Sequence, residues 1–503
     1  MPEPELKKID LYQLAVPPEL FKLLPADILK RHQVVPFRRR GGKLYVAIAD
    51  PSNREAVEEI RSVTTHELEI FSAGEEAIAA ALNRYFESSG KNIVSKELET
   101  FSPSESSVPL IVDKLFELAL KYRASDIHLE PQVEALFVRF RVDGVLGGVH
   151  QFPESLSASI VSCIKVMAKL DITERRLPQD GQISTTVGGR DIGLRVSTVP
   201  GKYGEATVIR LLDRTGDVVD IDKLGMDTLT RDRFEDVIIK PQGLVLVTGP
   251  TGSGKTTTLY AVLNLIRSSL KNIFTLEDPI ECELLASSVK ETGVTQVQVN
   301  SKIGLTFATG LRAALRQDPD LIMVGEIRDK ETAEAAMKAA MTGHLVMSTL
   351  HTNDAASTII RLRDIGIEPY LIGSTITGIM AQRLLRLLCS ECKQAYETPA
   401  QALGNLFPQM SLFPAGNEKP LLTLYRPAGC ARCHGTGYWG RYGIFELLIV
   451  NDEIRRLIHE GATAEAMKKA AQVDGLKTLR ESGCKLVLQG LTTVEEVFQH
   501  TVD

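Results

Sequence analysis

Residues 249–256, which read Gly-Pro-Thr-Gly-Ser-Gly-Lys-Thr, fit the phosphate-binding pattern G-x-x-x-x-G-K-[ST] between an apolar strand pattern and a helical one. Glycines let the backbone curl until several N–H groups point at one centre, and the N-terminus of the following helix adds positive potential. Lys255 would supply a point charge to the β- and γ-phosphates, and the Thr256 hydroxyl would bind Mg²⁺. The pattern predicts a nucleoside triphosphate site, with ATP and Mg²⁺ as its cofactors. Its candidate residues are Gly249, Pro250, Thr251, Gly252, Ser253, Gly254, Lys255, Thr256 and Thr257.

Carboxylates and histidines flank three further apolar runs in the same part of the chain. Hydrolysis of a triphosphate needs a metal partner and a group that orients water. In a parallel sheet, residues that end a strand lie at its carboxyl edge, where ligands bind. The candidates are Glu326 after the run 321–324, Glu277, Asp278 and Glu281 after the run 273–276, and His344 and His351 on either side of the run 345–349. A surface turn remains the alternative for Glu277, Asp278 and Glu281, and a structural role remains the alternative for each histidine.

Four of the seven cysteines form two C-x-x-C pairs, Cys389/Cys392 and Cys430/Cys433. Four thiolates at two tight-turn spacings can close a tetrahedral cage, and Zn²⁺ is its usual occupant in a cytosol. The site should be structural because the protein supplies all four ligands. A thioredoxin-like redox pair is the less favoured alternative, since there are two pairs and no surrounding thioredoxin pattern. The small number of cysteines also favours a reducing cytosol.

The elements that must position these groups follow from hydrophobic periodicity. Strand and helix patterns alternate between residues 244 and 349, which indicates a largely parallel sheet covered on both faces. Upstream, a helical pattern at 110–123 precedes period-2 runs at 126–130 and 136–142, and Asp143-Gly144 is a hairpin signal. The predicted organisation is an N-terminal domain at 1–87, a linker at 88–108, a second domain at 109–213, an interdomain linker at 214–223, and an ATPase domain at 224–503 that includes a tetracysteine module at 386–440.

Composition argues against several classes of protein. The 503 residues carry 58 basic and 64 acidic side chains, so the net charge of −6 argues against general adhesion to nucleic acid or anionic lipid. No uninterrupted apolar run approaches the roughly 20 residues that a membrane span needs. The first residues lack the apolar core of a signal peptide, so export is not expected.

Four strings in order, GPTGSGKT, TLEDPIE, DPDLIMVGEIRD and TGHLVMSTLHTND, resemble the Walker A, aspartate, Walker B and histidine boxes of secretion ATPases. SDIHLEP, RFRVDGVL, RLPQDGQI and RVSTVP extend the resemblance, which covers the chain from about residue 108 to its end. The similarity is to the motors of type II secretion and type IV pilus assembly, the bacterial GspE/PulE/PilB family.

This resemblance implies a RecA-like P-loop ATPase domain with a parallel sheet, a smaller PAS-like α+β second domain, a small N-terminal α/β docking domain and a zinc-binding insertion. It implies that Glu326 polarises the attacking water, that the acids of 277–281 help with metal or water, and that both histidines sense the γ-phosphate. The second domain would bring Arg195 and Arg210 toward the phosphates, unless these are salt-bridged strand residues. Members of the family form hexameric rings with ATP at subunit boundaries, and they dock from the cytoplasm on a platform protein of the inner membrane.

The expected function is that of a cytoplasmic hexameric ATPase, peripheral on the inner membrane, that powers assembly of a pseudopilus for type II secretion or extension of a type IV pilus. A P-loop nucleic-acid translocase is one alternative, which the net charge disfavours, and a nucleotide-gated scaffold without turnover is another. The motifs do not separate secretion from pilus assembly. The cysteine module argues against a retraction motor, because retraction relatives generally lack it.

Overall fold

The computed structural model describes residues 107–212, 220–267, 270–284, 294–400 and 421–501 without a gap, and residues 9–82 except 10, 12–15, 17, 22, 41, 51–52, 65, 76 and 80. Most of the linkers predicted at 88–108 and 214–223 lies outside the described residues.

The strands are β1 (Val34–Arg40), β2 (Lys43–Ile48), β3 (Glu67–Ser72), β4 (Ala124–Pro131), β5 (Ala135–Val142), β6 (Val145–Pro153), β7 (Gln179–Val187), β8 (Arg190–Gly201), β9 (Gly204–Leu212), β10 (Gly243–Thr248), β11 (Ile273–Glu277), β12 (Val294–Gln298), β13 (Leu321–Val324), β14 (Leu345–Leu350), β15 (Ile376–Leu388), β16 (Gln394–Pro399), β17 (Leu421–Arg426) and β18 (Tyr438–Ile449). The helices are α1 (Pro18–Phe21), α2 (Ala26–Arg31), α3 (Arg54–Val63), α4 (Val108–Lys121), α5 (Glu154–Met167), α6 (Thr228–Ile238), α7 (Lys255–Ile266), α8 (Phe307–Ala314), α9 (Lys330–Met341), α10 (Ala355–Asp364), α11 (Pro369–Thr375), α12 (Asp452–His459), α13 (Ala464–Val473), α14 (Leu479–Leu488) and α15 (Val494–His500). Ile221–Lys223 and Ser301–Ile303 form 3-10 turns.

A small sheet near the N-terminus consists of β1, β2 and β3. Strand β2 pairs antiparallel with β1 and parallel with β3. The first four residues of β1 are buried and its last three, all arginines, are exposed. Gly42 has a φ of 82°, a conformation that suits glycine, in the turn between β1 and β2. The glycine therefore allows the tight reversal that pairs β1 with β2.

Strands β4 to β9 form a six-stranded sheet in the order β6-β5-β4-β9-β8-β7, and every neighbouring pair is antiparallel. Helices α4 and α5 share a buried apolar core with this sheet, so this part of the chain is α+β as predicted. The predicted hairpin turn at Asp143-Gly144 joins β5 to β6. The fully buried Lys165 donates from Nζ to Glu205 Oε1 at 2.8 Å, which joins α5 to β9.

Seven strands form the larger sheet, in the order β12-β11-β13-β14-β10-β15-β18. All neighbours are parallel except β18, which runs antiparallel to β15. Every residue of β10 is buried, between β14 on one side and β15 on the other. The predicted alternation of strands and helices is confirmed. Two apolar clusters contain residues from these strands and from the surrounding helices. A strand that is buried on both faces needs apolar residues at successive positions, so its sequence is a continuous apolar run.

The C-terminal helices α12 to α15 belong to the same apolar core as the larger sheet. One buried carboxylate on β18, that of Glu446, accepts hydrogen bonds from Ala355 N at 2.9 Å and from Leu479 N at 3.3 Å. These are the first residues of α10 and α14, so each helix offers an N–H group that no helical carbonyl satisfies. Burial raises the pKa of Glu446, and the two N–H donors compensate part of its lost hydration.

Among the helices in the described ranges, none combines the length and the apolar character that crossing a bilayer would require.

Candidate functional site

The loop between β10 and α7 is shaped by glycine. Gly254 caps α7 with a φ of 88°, which a residue with a side chain adopts only at a cost. A Cβ on Gly249 would lie 2.5 Å from Ser253 Oγ and 2.6 Å from Gln382 O, so no side chain fits there. Ser253 Oγ is buried and has no hydrogen-bond partner among the described residues. A curled loop with a spare buried hydroxyl at a helix N-terminus suits a phosphate.

Lys255 is the first residue of α7, and its ammonium lies over the same loop. Its Nζ donates to Gly249 O at 2.8 Å and to Pro250 O at 3.1 Å. Burial lowers the pKa of Lys255 to about 8, because desolvation disfavours the charged form. The carboxylate of Glu326 opposes this shift and the guanidinium of Arg383 adds to it. The lysine is therefore poised near the middle of its titration at mildly alkaline pH.

Glu326 follows β13 at the carboxyl edge of the sheet, next to the loop. Its Oε2 lies 3.5 Å from Nε2 of His351, which follows β14, and its Oε1 pairs with the guanidinium of Arg328. Burial lowers the pKa of His351, and the positive charge of Lys255 acts in the same direction. The neutral form of this histidine therefore predominates at pH 7, so its ring can donate from one nitrogen and accept at the other.

The three acids after β11 have different surroundings. Burial raises the pKa of Glu281, although the Thr256 hydroxyl bonds to it and the charges of Arg210 and Lys255 favour its ionised form. Glu281 thus lies beside the loop lysine and the threonine. Asp278 lies farther out, where its charge acts on Arg328.

Glu277 is buried and its carboxylate is occupied by neighbours. Its Oε1 accepts from Thr275 Oγ1 at 2.6 Å and from Gln296 Nε2 at 3.1 Å, and its Oε2 accepts from Tyr260. These partners lie on β11, β12 and α7. The carboxylate therefore joins three elements at this edge.

His344 does not join the cluster. It precedes β14, and its carbonyl accepts from Gly243 N at the start of β10. Since β10 and β14 run parallel, His344 lies at the amino edge of the sheet and the phosphate loop lies at the opposite edge. The structure therefore does not bring His344 to the loop of its own chain, and the expectation that His344 senses the γ-phosphate stays a prediction. A residue before a parallel strand and one after it lie at opposite ends of that strand.

Two arginines of the six-stranded sheet lie side by side. Arg195 on β8 is directly opposite Arg210 on β9, so their side chains share one face. Arg210 Nε donates at 2.9 Å to Oδ1 of Asp126, a buried aspartate on β4, and Arg141 Nε lies 3.6 Å from its other oxygen. Arg195 is exposed. The charge of Arg210 reaches Glu281, so this arginine faces the edge of the larger sheet that carries the loop.

Two residues of β15 that were not predicted from the sequence also support the loop. Gln382 donates from Nε2 to Ser253 O at 2.7 Å and accepts at Oε1 from Thr258 at 2.8 Å. Arg383 is buried and donates to the carbonyls of Gln382 and Asn353. The sequence does contain an indication of their role, a glutamine next to an arginine within a largely apolar strand. Such side chains are seldom buried unless they are paired with other groups.

The four predicted cysteines meet in one cluster. Their Sγ atoms all lie within 4.8 Å of one another, with Cys389–Cys430 at 3.8 Å, Cys392–Cys433 at 3.7 Å and Cys430–Cys433 at 3.7 Å. A tetrahedral ion with Zn–S bonds of about 2.3 Å requires S···S separations of about 3.8 Å, so the cluster fits zinc. Backbone N–H groups of Gly429, Cys430 and Gly437 donate to the sulfur atoms, as expected for thiolate ligands.

Fold and site together define a P-loop nucleotide-binding protein with an α+β unit beside its phosphate loop and a tetracysteine cluster near its C-terminal helices. Residues 102–499 match the type II/IV secretion system protein family, and residues 5–92 match the MshEN domain. The chain belongs to the type II/IV secretion system protein family.

Two relatives and one solved structure illustrate this membership. The chain is 50% identical to the type II secretion system ATPase E of Vibrio cholerae over 383 residues, 76% of this chain and 73% of that protein. It is 42% identical to the type IV pilus assembly ATPase PilB of Myxococcus xanthus over 515 aligned positions, 98% of this chain and 88% of that protein. The crystal structure of the pilus retraction motor PilT with bound ADP is 28% identical, with a TM-score of 0.52 over 78% of this chain and 97% of that one.

Proposed function

We propose that this chain is an ATPase that hydrolyses ATP to power assembly of a pseudopilus in type II secretion or extension of a type IV pilus. One observation carries the proposal: Lys255 and Thr256 of the phosphate loop lie beside Glu281 and Glu326, and Arg210 faces this group from a separate sheet. A site built from two sheets can favour different arrangements of those sheets with ATP and with ADP. That difference is what a motor needs in order to do work.

Each side chain of the site would have its own role in ATP hydrolysis. Lys255 would exchange its two loop carbonyls for the β- and γ-phosphates, and Thr256 would hold the Mg²⁺ that offsets phosphate charge. Glu326 would accept a proton from the attacking water, while the nearby His351 would donate a hydrogen bond to the γ-phosphate. Arg210 and its neighbour Arg195 would stabilise the negative charge that spreads over the phosphate oxygens, for which a planar guanidinium is suited.

The acids after β11 would have separate tasks. Glu281, beside Thr256, is the acid best placed to assist the metal or its water, and Asp278 would act through Arg328. The three hydrogen bonds to Glu277 support a positioning role instead. His344 is given no role at the loop of its own chain.

The tetracysteine cluster would hold a structural Zn²⁺ through Cys389, Cys392, Cys430 and Cys433. The protein supplies all four ligands, so the ion would stabilise the local fold and would offer no open position for catalysis.

The assembled form would be a homo-hexamer with ATP at its subunit boundaries. It would lie in the cytoplasm, peripheral on the inner membrane, docked through its N-terminal domain on a platform protein of the secretion or pilus machine. Relatives of both kinds support the common part of this proposal. Capture of a secretion or a pilus platform protein by the full chain would decide between them.

Replacing Glu326 by Gln tests the catalytic assignment. We expect ATP to bind with nearly unchanged affinity and turnover to fall at least about a hundredfold, because a positioned base contributes about 10²–10⁴ in rate. The matched control is Glu334→Gln, an acid of α9 that pairs with Lys330 and Lys338. Undiminished turnover in Glu326→Gln would remove this residue from the mechanism. A wild-type hexamer without turnover, even beside its platform protein, would support a scaffold instead.

A further inference from the structure

Residues beside the six-stranded sheet contact the segment that follows the tetracysteine cluster, away from the phosphate loop. Residues 434–440, here called the module loop, follow Cys433 and include the first three residues of β18. Gly440 N donates to Asp143 Oδ2 at 3.0 Å, and Arg123 donates from Nη2 to the other oxygen of that aspartate at 2.9 Å. The guanidinium of Arg123 lies 4.3 Å from the ring centroid of Trp439. The buried Tyr122 packs against His434, with ring centroids 4.3 Å apart and ring planes at 51° to each other.

These contacts are less exposed and more numerous than those of an isolated surface ion pair. The Asp143 side chain is only 13% exposed, and it interacts electrostatically with Arg386 on β15 as well as with Arg123. Hydrogen bonds to charged groups are stronger than those between neutral groups, and a guanidinium over tryptophan adds a further attraction. The set combines an ion pair, a backbone hydrogen bond, a cation–π contact and a ring pair within one small area.

The backbone at the contact supports the same conclusion. Arg123 has a φ of 55°, Asp143 of 47° and His434 of 53°, all in the left-handed region that side chains seldom adopt. Arg123 occupies the position after helix α4 where glycine or asparagine is usual. An arginine in this conformation is strained, and its guanidinium lies over Trp439.

We propose that the module loop is a docking surface for the six-stranded sheet of the same chain. The occupant is the corner formed by Tyr122, Arg123 and Asp143. The four cysteines hold the loop in the shape that presents Trp439 and the Gly440 N–H group to this corner. Docking there favours the one arrangement of the sheet in which Arg210 faces the phosphate loop, so the cluster acts on the orientation of Arg195 and Arg210. The docking stands whether or not the chain hydrolyses ATP.

Trp439 is the only tryptophan of the chain, so tryptophan fluorescence reports the surroundings of this one side chain, which include Arg432 and His434 as well as Arg123. In the full-length, metal-loaded chain, Arg123→Asn removes the guanidinium and leaves a residue that tolerates left-handed φ. The matched control is Lys169→Asn, an exposed lysine with a φ of 57° just after helix α5. We expect Arg123→Asn to shift Trp439 emission to the red and to speed amide exchange at Gly440 about fivefold. Lys169→Asn should leave both unchanged.

Asp143→Asn is the second variant, because asparagine before glycine preserves the hairpin turn while the charge is lost. We expect it to reproduce the effect of Arg123→Asn, with metal content per chain equal to that of the wild type. Wild-type emission and exchange in both variants would overturn the docking surface, as would equal changes in the Lys169 control. A wild-type contact that disappears on dilution would assign the corner to a neighbouring copy and overturn docking within the chain. If Glu326→Gln behaves as expected while these variants do not, the docking fails and the ATPase assignment stands.

Discussion

Raising the pH through the pKa of Lys255 is expected to weaken ATP binding. Burial lowers this pKa from 10.5 to about 8, so the charged form predominates below that pH and is lost above it. A triphosphate brought against Nζ favours the charged form and would restore the pKa toward its ordinary value. Binding above pH 8 must therefore take up a proton.

The size of the effect follows from the fraction of charged lysine. With a pKa of about 8, that fraction is roughly one half at pH 8 and roughly 3% at pH 9.5. If only the ammonium form binds the phosphates, the dissociation constant of ATP rises about fifteenfold over this interval, and proton uptake approaches one per site. The γ-phosphate is already ionised in this range and His351, whose pKa is lowered, stays neutral, so neither group contributes.

Titration calorimetry in buffers of different ionisation enthalpy measures both quantities on the metal-loaded chain. Lys255→Arg is the control: a guanidinium stays charged at every pH used, so the remaining affinity should not change with pH. A dissociation constant that stays flat between pH 8 and 9.5, with no proton uptake, would refute the conclusion that burial controls the charge of this lysine.

Three further outcomes are expected from the structure. Asp126→Asn removes the charge that holds Arg210, so kcat should fall about tenfold while the dissociation constant of ATP stays within about twofold, and an unchanged kcat would show that Arg210 does not need this partner. Cys430→Ser should abolish the one equivalent of zinc that we expect in the wild type, measured by elemental analysis, because three thiolates leave the tetrahedron open; wild-type zinc content in the variant would contradict the proposed ligand set. Lys165→Met leaves the Glu205 carboxylate without its buried partner and should lower the free energy of unfolding by about 3–5 kcal/mol in chemical denaturation, whereas a loss below about 1 kcal/mol would show that water reaches this pair.

Much of the fold follows from local pattern in the sequence. The run 321–324 is apolar throughout, and the strand β13 spans the same residues, because a strand buried on both faces leaves no polar position. The turn at Asp143-Gly144 and the clustering of the four cysteines were predicted from residue types at short spacing. Local pattern succeeds where the residues that decide the conformation are neighbours in sequence.

Contacts between distant segments could not be predicted in the same way. The sequence shows Glu277 at the end of a strand, but its partners Tyr260 and Gln296 depend on which elements pack together. The position of His344 depends on strand direction, which places a residue before β14 at the amino edge of the sheet. Gln382 was not predicted because β15, the strand that carries it, lies beside β10 in the sheet although the two strands are far apart in the sequence.

The single carboxylate of Glu446 has a mechanical consequence. It holds the first residue of α10, which begins four residues after His351, and the first residue of α14 in the C-terminal helical region. Because both helices donate to the same buried carboxylate, moving one helix without the other would leave that carboxylate without one of its hydrogen bonds. A movement that begins beside the γ-phosphate would therefore be transmitted from α10 to α14, and so to the C-terminal helical region, without a flexible segment in between.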